Sequence, residues 1–372
     1  MKVAIVTESF LPLVNGVVNS VRQVVDRLLD SGHEPLVIAP GPGPEVYRGV
    51  RVVRVRSVAV PRYPSFPLGL PDRQVEDVLA RFAPDVVHLA SPIVLGWTGL
   101  RAARRRDLPT VAVYQTDIPG YLRQYGLPGE AACARWVARL HRRATRTLVP
   151  SRAAYDQLDG LGVGGLHLWG RGVDLGLFDP GARSAELRRR WEADGATVVG
   201  YVGRLAAEKQ VRRLADLADV PGIRLVVVGD GPEAPYLRQR LPDATFTGML
   251  TGPDLAAAFA SLDVFVHTGL NETFCQTIQE AQASGVAVVA PAIGGPLDLV
   301  EHGRTGLLYD AHDPAALRTA VEGLATDGSL RAALAANGLS RVADRSWARV
   351  VDELVERHYR GAIADHAGRL AA

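Results

Sequence analysis

Short runs of β-branched apolar residues alternate with helix-period segments along nearly the whole chain. This alternation restricts the fold more than any other feature of the sequence. In the first half the runs are Val3–Thr7, Leu36–Ala39, Val50–Val55, Val86–Leu89, Thr110–Tyr114 and Thr147–Val149. They are apolar at successive positions rather than at every second one, as in strands buried on both faces of a parallel sheet. Between them, Val17, Val21, Val24, Val25 and Leu28 recur at helical spacing, and Gly32 follows as a helix terminator. The pattern restarts with Thr197–Tyr201, Arg224–Val228, Thr245–Phe246, Val264–His267 and Val286–Ala290. Helices are expected between these at Lys209–Leu217, Glu233–Arg240, Leu255–Ser261 and Thr277–Ser284. The glycine-rich stretch Gly170–Arg183 reads as a hinge. The expectation is an α/β protein of two doubly wound, Rossmann-like parallel-sheet domains, 1–175 and 176–346. The last helix, from Trp347 to about Ala364, belongs to neither sheet by sequence alone. Ligands of such sheets bind beyond the carboxyl ends of the strands, so two facing domains would hold the site in a cleft.

Several classes are disfavoured. A net charge of +2 lacks the concentrated positive field of a nucleic-acid binder. No apolar run approaches the roughly 20 residues that span a bilayer. MKVAIVTES begins directly as a strand, so no signal peptide is expected and the location expected is cytoplasmic. Cys133 and Cys275 lie far apart without a CxxC pair, which indicates neither a disulfide framework nor a zinc site. Neither domain has GxGxxG after its first strand, which disfavours a dinucleotide oxidoreductase. No DxD triplet occurs, so metal-bridged diphosphate binding is not suggested and no metal or other cofactor is expected.

Residues at strand ends carry the candidate chemistry. In NETFCQTIQEA, Glu272 and Glu280 flank seven residues, with Phe274 and Cys275 at the start of a helix. Backbone N–H groups there attract anions such as a sugar diphosphate, and Glu280 could accept hydrogen bonds from a diol. In GYVGRLAAEK a strand ends at Val202, Gly203 follows it, and Arg204 and Lys209 could clamp a leaving diphosphate. Charge develops on that group as a glycosyl bond breaks, so cations placed there favour the transition state. Lys209 stands out because the chain has only two lysines, Lys2 and Lys209, against forty arginines. Asn15-Gly16 opens a helix where Gly16 would allow close approach of a phosphate. Gln115 and Asp117 lie in the turn after Thr110–Tyr114. Met249 and Leu250, in FTGML, could hold a nucleobase through their backbone. Taken singly, each segment also suits ordinary turn and surface chemistry.

Together and in this order, TESFLPLVNGVV, QTDIPGY, LWGRGVD, GYVGRLAAEK, VGDGPE, FTGML, NETFCQTIQEAQASGVAVVAP and IGGPLDLV resemble a known family. They are similar to the retaining, nucleotide-sugar-dependent glycosyltransferases of the GT-B fold, in family four, and the resemblance runs the whole chain. Within that family the likeness is strongest to bacterial GDP-mannose-dependent α-mannosyltransferases acting on phosphatidylinositol or glycolipid acceptors. It extends to sulfolipid synthases of similar sequence. The resemblance implies a diphosphate clamp in Arg204 and Lys209, donor-sugar contacts at Glu272, ribose contacts at Glu280 and a phosphate contact at the Gly16 N–H. It also implies that the segment of about 347–372 crosses back to the first domain. The co-substrate implied is a nucleotide sugar, most simply GDP-mannose. One departure is Gln115, where much of the family has histidine. Glutamine can hydrogen-bond but cannot exchange a proton. Asp117 could substitute, or the proton could pass to the leaving phosphate.

The charge is uneven: residues 1–180 carry 22 basic and 16 acidic groups, a net of +6, and the rest a net of −4. Residues 129–146 are expected to form one basic amphipathic helix, with Arg135, Arg139, Arg142, Arg143 and Arg146 around Trp136, Val137 and Leu140. Two readings stand: a peripheral contact with anionic membrane, or a solvated helix whose apolar residues pack inward. For the activity, three readings stand. These are a mannosyltransferase acting on a lipid or glycolipid, a transferase using another nucleotide sugar on a soluble acceptor, and a nucleotide-sugar-binding protein without turnover.

Overall fold

The computed structural model describes residues 1–13, 15–60, 63–191 and 195–371. The chain divides into two units, Met1–Arg171 with Trp347–Ala372, and Gly172–Ser346.

Among the described residues of the first unit, ten strands follow the chain. They are β1 (Lys2–Thr7), β2 (Glu34–Pro40), β3 (Val46–Tyr47), β4 (Val50–Val55), β5 (Ser57–Val60), β6 (Tyr63–Gly69), β7 (Val86–Ala90), β8 (Thr110–Val113), β9 (Arg146–Val149) and β10 (Leu166–Leu168). Eight of them form one sheet in the order β10-β9-β8-β7-β1-β2-β4-β3, while β5 and β6 pair separately. Every pairing in the large sheet is parallel except β3 with β4. The apolar runs occupy its centre: β1 is buried from Val3 to Thr7 and β7 along its whole length. Val18, Val21, Val24, Val25 and Leu28 of the helix Gly16–Asp30 face inward at helical spacing. The C-terminal segment, helical over Trp347–Glu353, π-wound over Leu354–Tyr359 and helical again over Arg360–Ala371, completes this core. Trp347, Val351, Leu354 and Tyr359 share one cluster with Ile5, Val24 and Leu28. Trp169 donates to the Val350 carbonyl at 3.0 Å, and His88 Nδ1 lies 2.7 Å from the Tyr359 hydroxyl.

The second unit has six parallel strands, β11 (Thr197–Val202), β12 (Ile223–Val228), β13 (Thr245–Gly248), β14 (Val264–Val266), β15 (Ala287–Pro291) and β16 (Leu307–Tyr309). Their order is β13-β12-β11-β14-β15-β16. β16 and β10 escape the sequence reading because each is a three-residue edge strand, largely half-exposed, with little apolar run to detect. Lys209–Leu217, expected as one helix, is two 3₁₀ segments, Ala207–Lys209 and Val211–Leu217. Gln210 between them has φ 51°, a left-handed conformation that an α-helix cannot carry.

Each sheet has one point where neighbouring strands send the chain in opposite directions: β1 beside β7, and β11 beside β14. In open sheets of this kind, ligands bind beyond the carboxyl ends of the strands at such a point.

Candidate active site

In the second unit the loops after β11 and β14 meet at this switch point. Lys209 Nζ lies 2.6 Å from Glu272 Oε1, which ties the GYVGRLAAEK segment to NETFCQTIQEA. The Thr268 hydroxyl donates to the Lys209 carbonyl at 2.6 Å and fixes the same junction. Burial opposes ionisation of Glu272, but Lys209 and His267 outweigh it and hold the carboxyl well below its usual range. His267 was not singled out in the sequence because it reads as the end of an apolar strand. It is buried, with Nε2 3.5 Å from Glu272 Oε1 and neither ring nitrogen hydrogen-bonded. Desolvation lowers its pKa, yet Cys275 and Glu272 beside it raise it to about 9. A largely buried acid thus has Lys209 and His267 on one oxygen, an arrangement that adds little to folding stability and is common at functional sites.

Arg204 pairs with Glu208, a buried neighbour four residues on, while its own side chain is about half exposed. The Tyr201 hydroxyl donates to the Arg204 carbonyl at 3.1 Å. Gly203 precedes it with φ 154°, and a Cβ there would meet the Tyr201 hydroxyl at 3.0 Å. Phe274 and Cys275 are buried. The helix expected near Phe274 starts at Gln276, because Cys275 takes φ 81° and caps it from outside. Gly295 donates its N–H to the Glu272 carbonyl at 2.8 Å, and a Cβ at Gly295 would lie 2.4 Å from the Phe274 carbonyl oxygen. Only glycine lets IGGP pack this closely on the acidic loop. Glu280 lies in the second turn of the helix Gln276–Ala283, half-buried. Among the described residues no group donates a hydrogen bond to its carboxylate, and desolvation raises its pKa to about 7. Met249 is 73 % exposed and Leu250 half-buried, in the loop after β13.

In the first unit the corresponding junction is spanned by another acid the sequence did not flag. Glu8 Oε1 accepts the Ile93 N–H at 2.7 Å and the Gly96 N–H at 2.8 Å, joining the loops after β1 and β7. Desolvation raises its pKa against the pull of those backbone donors. Asn15 caps the helix Gly16–Asp30, accepting from the Val17 and Val18 N–H groups at 3.0 Å. Gly16 is the first helical residue and is exposed, so its N–H lies at the positive end of the helix. Gln115 is buried in the loop after β8. Its Oε1 accepts from Arg171 Nη2 at 3.2 Å, and Arg171 Nη1 reaches the Gly16 carbonyl, also at 3.2 Å. Arg171 lay unread within the hinge motif LWGRGVD, where its glycine neighbours mark a turn.

Asp117 has structural partners of its own, and the basic segment departs from its expected helix. Asp117 is engaged in the fold: its Oδ1 accepts from the Gly120 N–H at 3.0 Å, the Tyr114 hydroxyl at 3.0 Å and Gln157 Nε2 at 2.9 Å. It caps the helix Ile118–Gln124. The basic segment is not one helix over 129–146. The helix runs Glu130–His141, and Arg146 belongs to β9, where it pairs with Asp365 at 2.5 Å. The buried turn residues Ala144 and Thr145 end the periodicity that the arginines mask. Trp136 donates its indole N–H to the Ile93 carbonyl at 3.1 Å and packs 4.7 Å from Trp97, centroid to centroid. Arg139 and Arg143 lie over the Trp97 ring at 5.8 and 5.7 Å.

Among the described residues no three His, Cys, Asp or Glu side chains cluster as a metal site, and no helix is long and apolar enough to cross a membrane.

Known proteins account for both halves. Residues 14–177 match the model of Glycosyltransferase Family 4, and residues 196–327 match Glycosyl transferases group 1. A GDP-mannose-dependent alpha-mannosyltransferase of Mycolicibacterium smegmatis is 50% identical over 380 residues, covering 100% of both chains. A protein of the same description from Mycobacterium tuberculosis is 51% identical over 96% of each. The sucrose-phosphate synthase of Thermosynechococcus elongatus shares the fold, with a TM-score of 0.79, 21% identity, and 98% and 99% of the two chains covered. Two Rossmann-like parallel-sheet domains, a cation–glutamate junction at a switch point and full-length relatives at half identity lead to one conclusion: the chain belongs to glycosyltransferase family 4.

Proposed function

We propose that this glycosyltransferase moves mannose from GDP-mannose, with retention at the anomeric carbon, to a hydroxyl of a lipid or glycolipid acceptor. The observation that carries the donor is full-length identity of about one half to proteins named GDP-mannose-dependent alpha-mannosyltransferases. The side-chain chemistry supports it. In this reading Arg204 and Lys209 bind the diphosphate, whose negative charge grows as the C1–O bond breaks. Glu272 holds donor-sugar hydroxyls, and Lys209 beside it ties sugar and leaving group to one rigid junction. Glu280 accepts the ribose hydroxyls. The Gly16 N–H meets a phosphate oxygen, and the Gly203, Phe274 and Cys275 backbone lines the donor, with the base over Met249 and Leu250. Gln115 hydrogen-bonds the donor and Asp117 keeps its cap. Neither then serves as base, so the acceptor proton passes to the departing phosphate oxygen as the new C1–O bond forms on the same face. GDP leaves, and no metal is required for this bookkeeping of charge.

The acceptor reading rests on exposed arginines of two neighbouring helices, Arg101 and Arg104 with Arg135 and Arg139, around the Trp97–Trp136 pair. Such a face suits an anionic lipid surface. The test is a panel of GDP, UDP, ADP and their sugars. GDP and GDP-mannose should raise the melting temperature most, since a ligand bound only by the folded state stabilises it. Labelled mannose should then enter an organic extract with the α configuration. Preference for a uridine donor, or no release of GDP above a blank, would overturn the proposal.

A further inference from the structure

We propose that Arg171 is a positioning residue that sets Gln115 as a pure hydrogen-bond donor toward an oxygen of the donor substrate. The inference rests on the glycosyl-transfer reading above. A guanidinium has donors only, so the Gln115 atom facing it at 3.2 Å must be the amide oxygen whatever the amide's rotation elsewhere. The amide nitrogen, on the other branch, can only donate. The second arm of the same guanidinium holds the Gly16 carbonyl at 3.2 Å. Arg171 therefore ties the loop after β8 to the start of the helix that follows β1, both at the carboxyl end of the first sheet. Arg171 and Gln115 are buried, at 8 % and 6 % exposure, so solvent competes little for either bond. A Cβ on Gly16 would come 3.0 Å from Arg171 Nη1, so a larger residue at 16 would crowd the guanidinium. The planar fork gives one arm to each oxygen, so it fixes their relative position more rigidly than a point-charge ammonium would.

The test is a double-mutant cycle on the full chain with Arg171→Met and Gln115→Ala, read as kcat/KM for GDP-mannose and as melting temperature. Each single change should cost roughly tenfold to a hundredfold, the scale of one hydrogen bond to a charged or strongly polar group. The double variant should lose little more than the worse single one, because Arg171 acts through Gln115. Additive losses, or an Arg171→Met enzyme as active as the wild type, overturn the role. Gln115→Glu guards against a misfolded Arg171→Met. It keeps the shape and strengthens the contact with Arg171, so the protein should melt no lower, yet it removes the N–H donors and should lose at least tenfold in kcat/KM. Retained activity in Gln115→Glu overturns the proposal. A wild type that turns over no GDP-mannose overturns the transfer reading, and with it this assignment. An active wild type with an uncoupled cycle overturns Arg171's role alone.

Discussion

At the scale of residues, the site is a set of charges held in place by one another. Lys209 is one of only two lysines in a chain that otherwise uses arginine, and it stands 2.6 Å from a largely buried carboxylate. If Lys209 clamps the leaving diphosphate as proposed, Lys209→Ala should reduce kcat by roughly 10²–10³. It also strands Glu272, whose low pKa depends on that ammonium, so stability should fall too. The loss should lie near or below the low end of the roughly 3–5 kcal/mol for breaking a buried pair, since His267 remains nearby. Lys209→Arg keeps the charge but puts a planar fork where a point charge fits, and should lose most of the activity in the same assay. Full activity in either variant would remove Lys209 from the clamp. Glu280 makes a prediction of two signs. Its folded pKa of about 7 lies above the ordinary 4.5, so ionising it costs stability as pH rises from 4.5 to 7 and the cost is complete above 7. Glu280→Gln should therefore raise the melting temperature at pH 8 by a few degrees, the scale of about 1 kcal/mol in a unit of this size. Hydroxyls of a ribose donate to the ionised form, so nucleotide binding should release a proton. GDP affinity of the wild type should then rise from pH 5.5 to pH 8, and that rise should vanish in Glu280→Gln. Calorimetry in two buffers of different ionisation enthalpy reads the proton directly.

Elements differ in how plainly the sequence announces them. β1, β7, β11 and β15 are strands buried nearly throughout, and the need for apolar residues on both faces writes them as unbroken runs. Several motif segments stand out for a related reason, since the loops after β1, β11 and β14 follow buried strands directly. What stayed hidden depends on contacts distant in sequence. Glu8 looks like a polar end to a strand until the Ile93 and Gly96 N–H groups, over eighty residues away, close on it. Arg171 looks like a hinge residue until Gly16 and Gln115 reach it, and Asp117 looks available until Gln157 does. Helix length fails likewise at His141, where burial of Ala144 and Thr145, not local propensity, stops the helix. The C-terminal segment shows the strongest such dependence. It supplies Trp347, Val351, Leu354 and Tyr359 to the core of the first unit, and Arg27 of the helix Gly16–Asp30 clasps Asp352 with two hydrogen bonds at 2.8 and 2.7 Å. Leu354→Ala should cost about 2–5 kcal/mol, as for other fully buried leucines. Deleting 347–372 should leave the first unit unable to fold, seen as insoluble expression or loss of a cooperative melt. A truncated chain that melts as before would show that the segment merely decorates the sheet.

Across the whole molecule, charge is distributed rather than balanced. Residues 1–180 carry a net of +6 within a total of only +2. Exposed arginines stand on the helices Leu95–Arg105 and Glu130–His141 and on the turn after the second, with Arg139 and Arg143 over the Trp97 ring. Cation–π contact accounts for two arginines over one indole on a solvated helix as well as on a membrane face. Membrane attraction predicts something that packing does not. Each cation near an anionic surface contributes roughly 1 kcal/mol, and 1.4 kcal/mol is tenfold in a binding constant. Arg101→Gln together with Arg104→Gln should then weaken binding to phosphatidylglycerol vesicles by about 30-fold, with little change in melting temperature because both side chains are exposed. Wild-type binding should fall steeply between low and physiological salt, since exposed charges are screened over about 8 Å at 0.15 M. Neutral vesicles should bind weakly at any salt. Sedimentation with both lipids across a salt series separates the cases. Salt-independent binding, or equal binding to neutral and anionic vesicles, would mean that the arginines serve only the fold and that the acceptor reaches the enzyme without help from the surface charge.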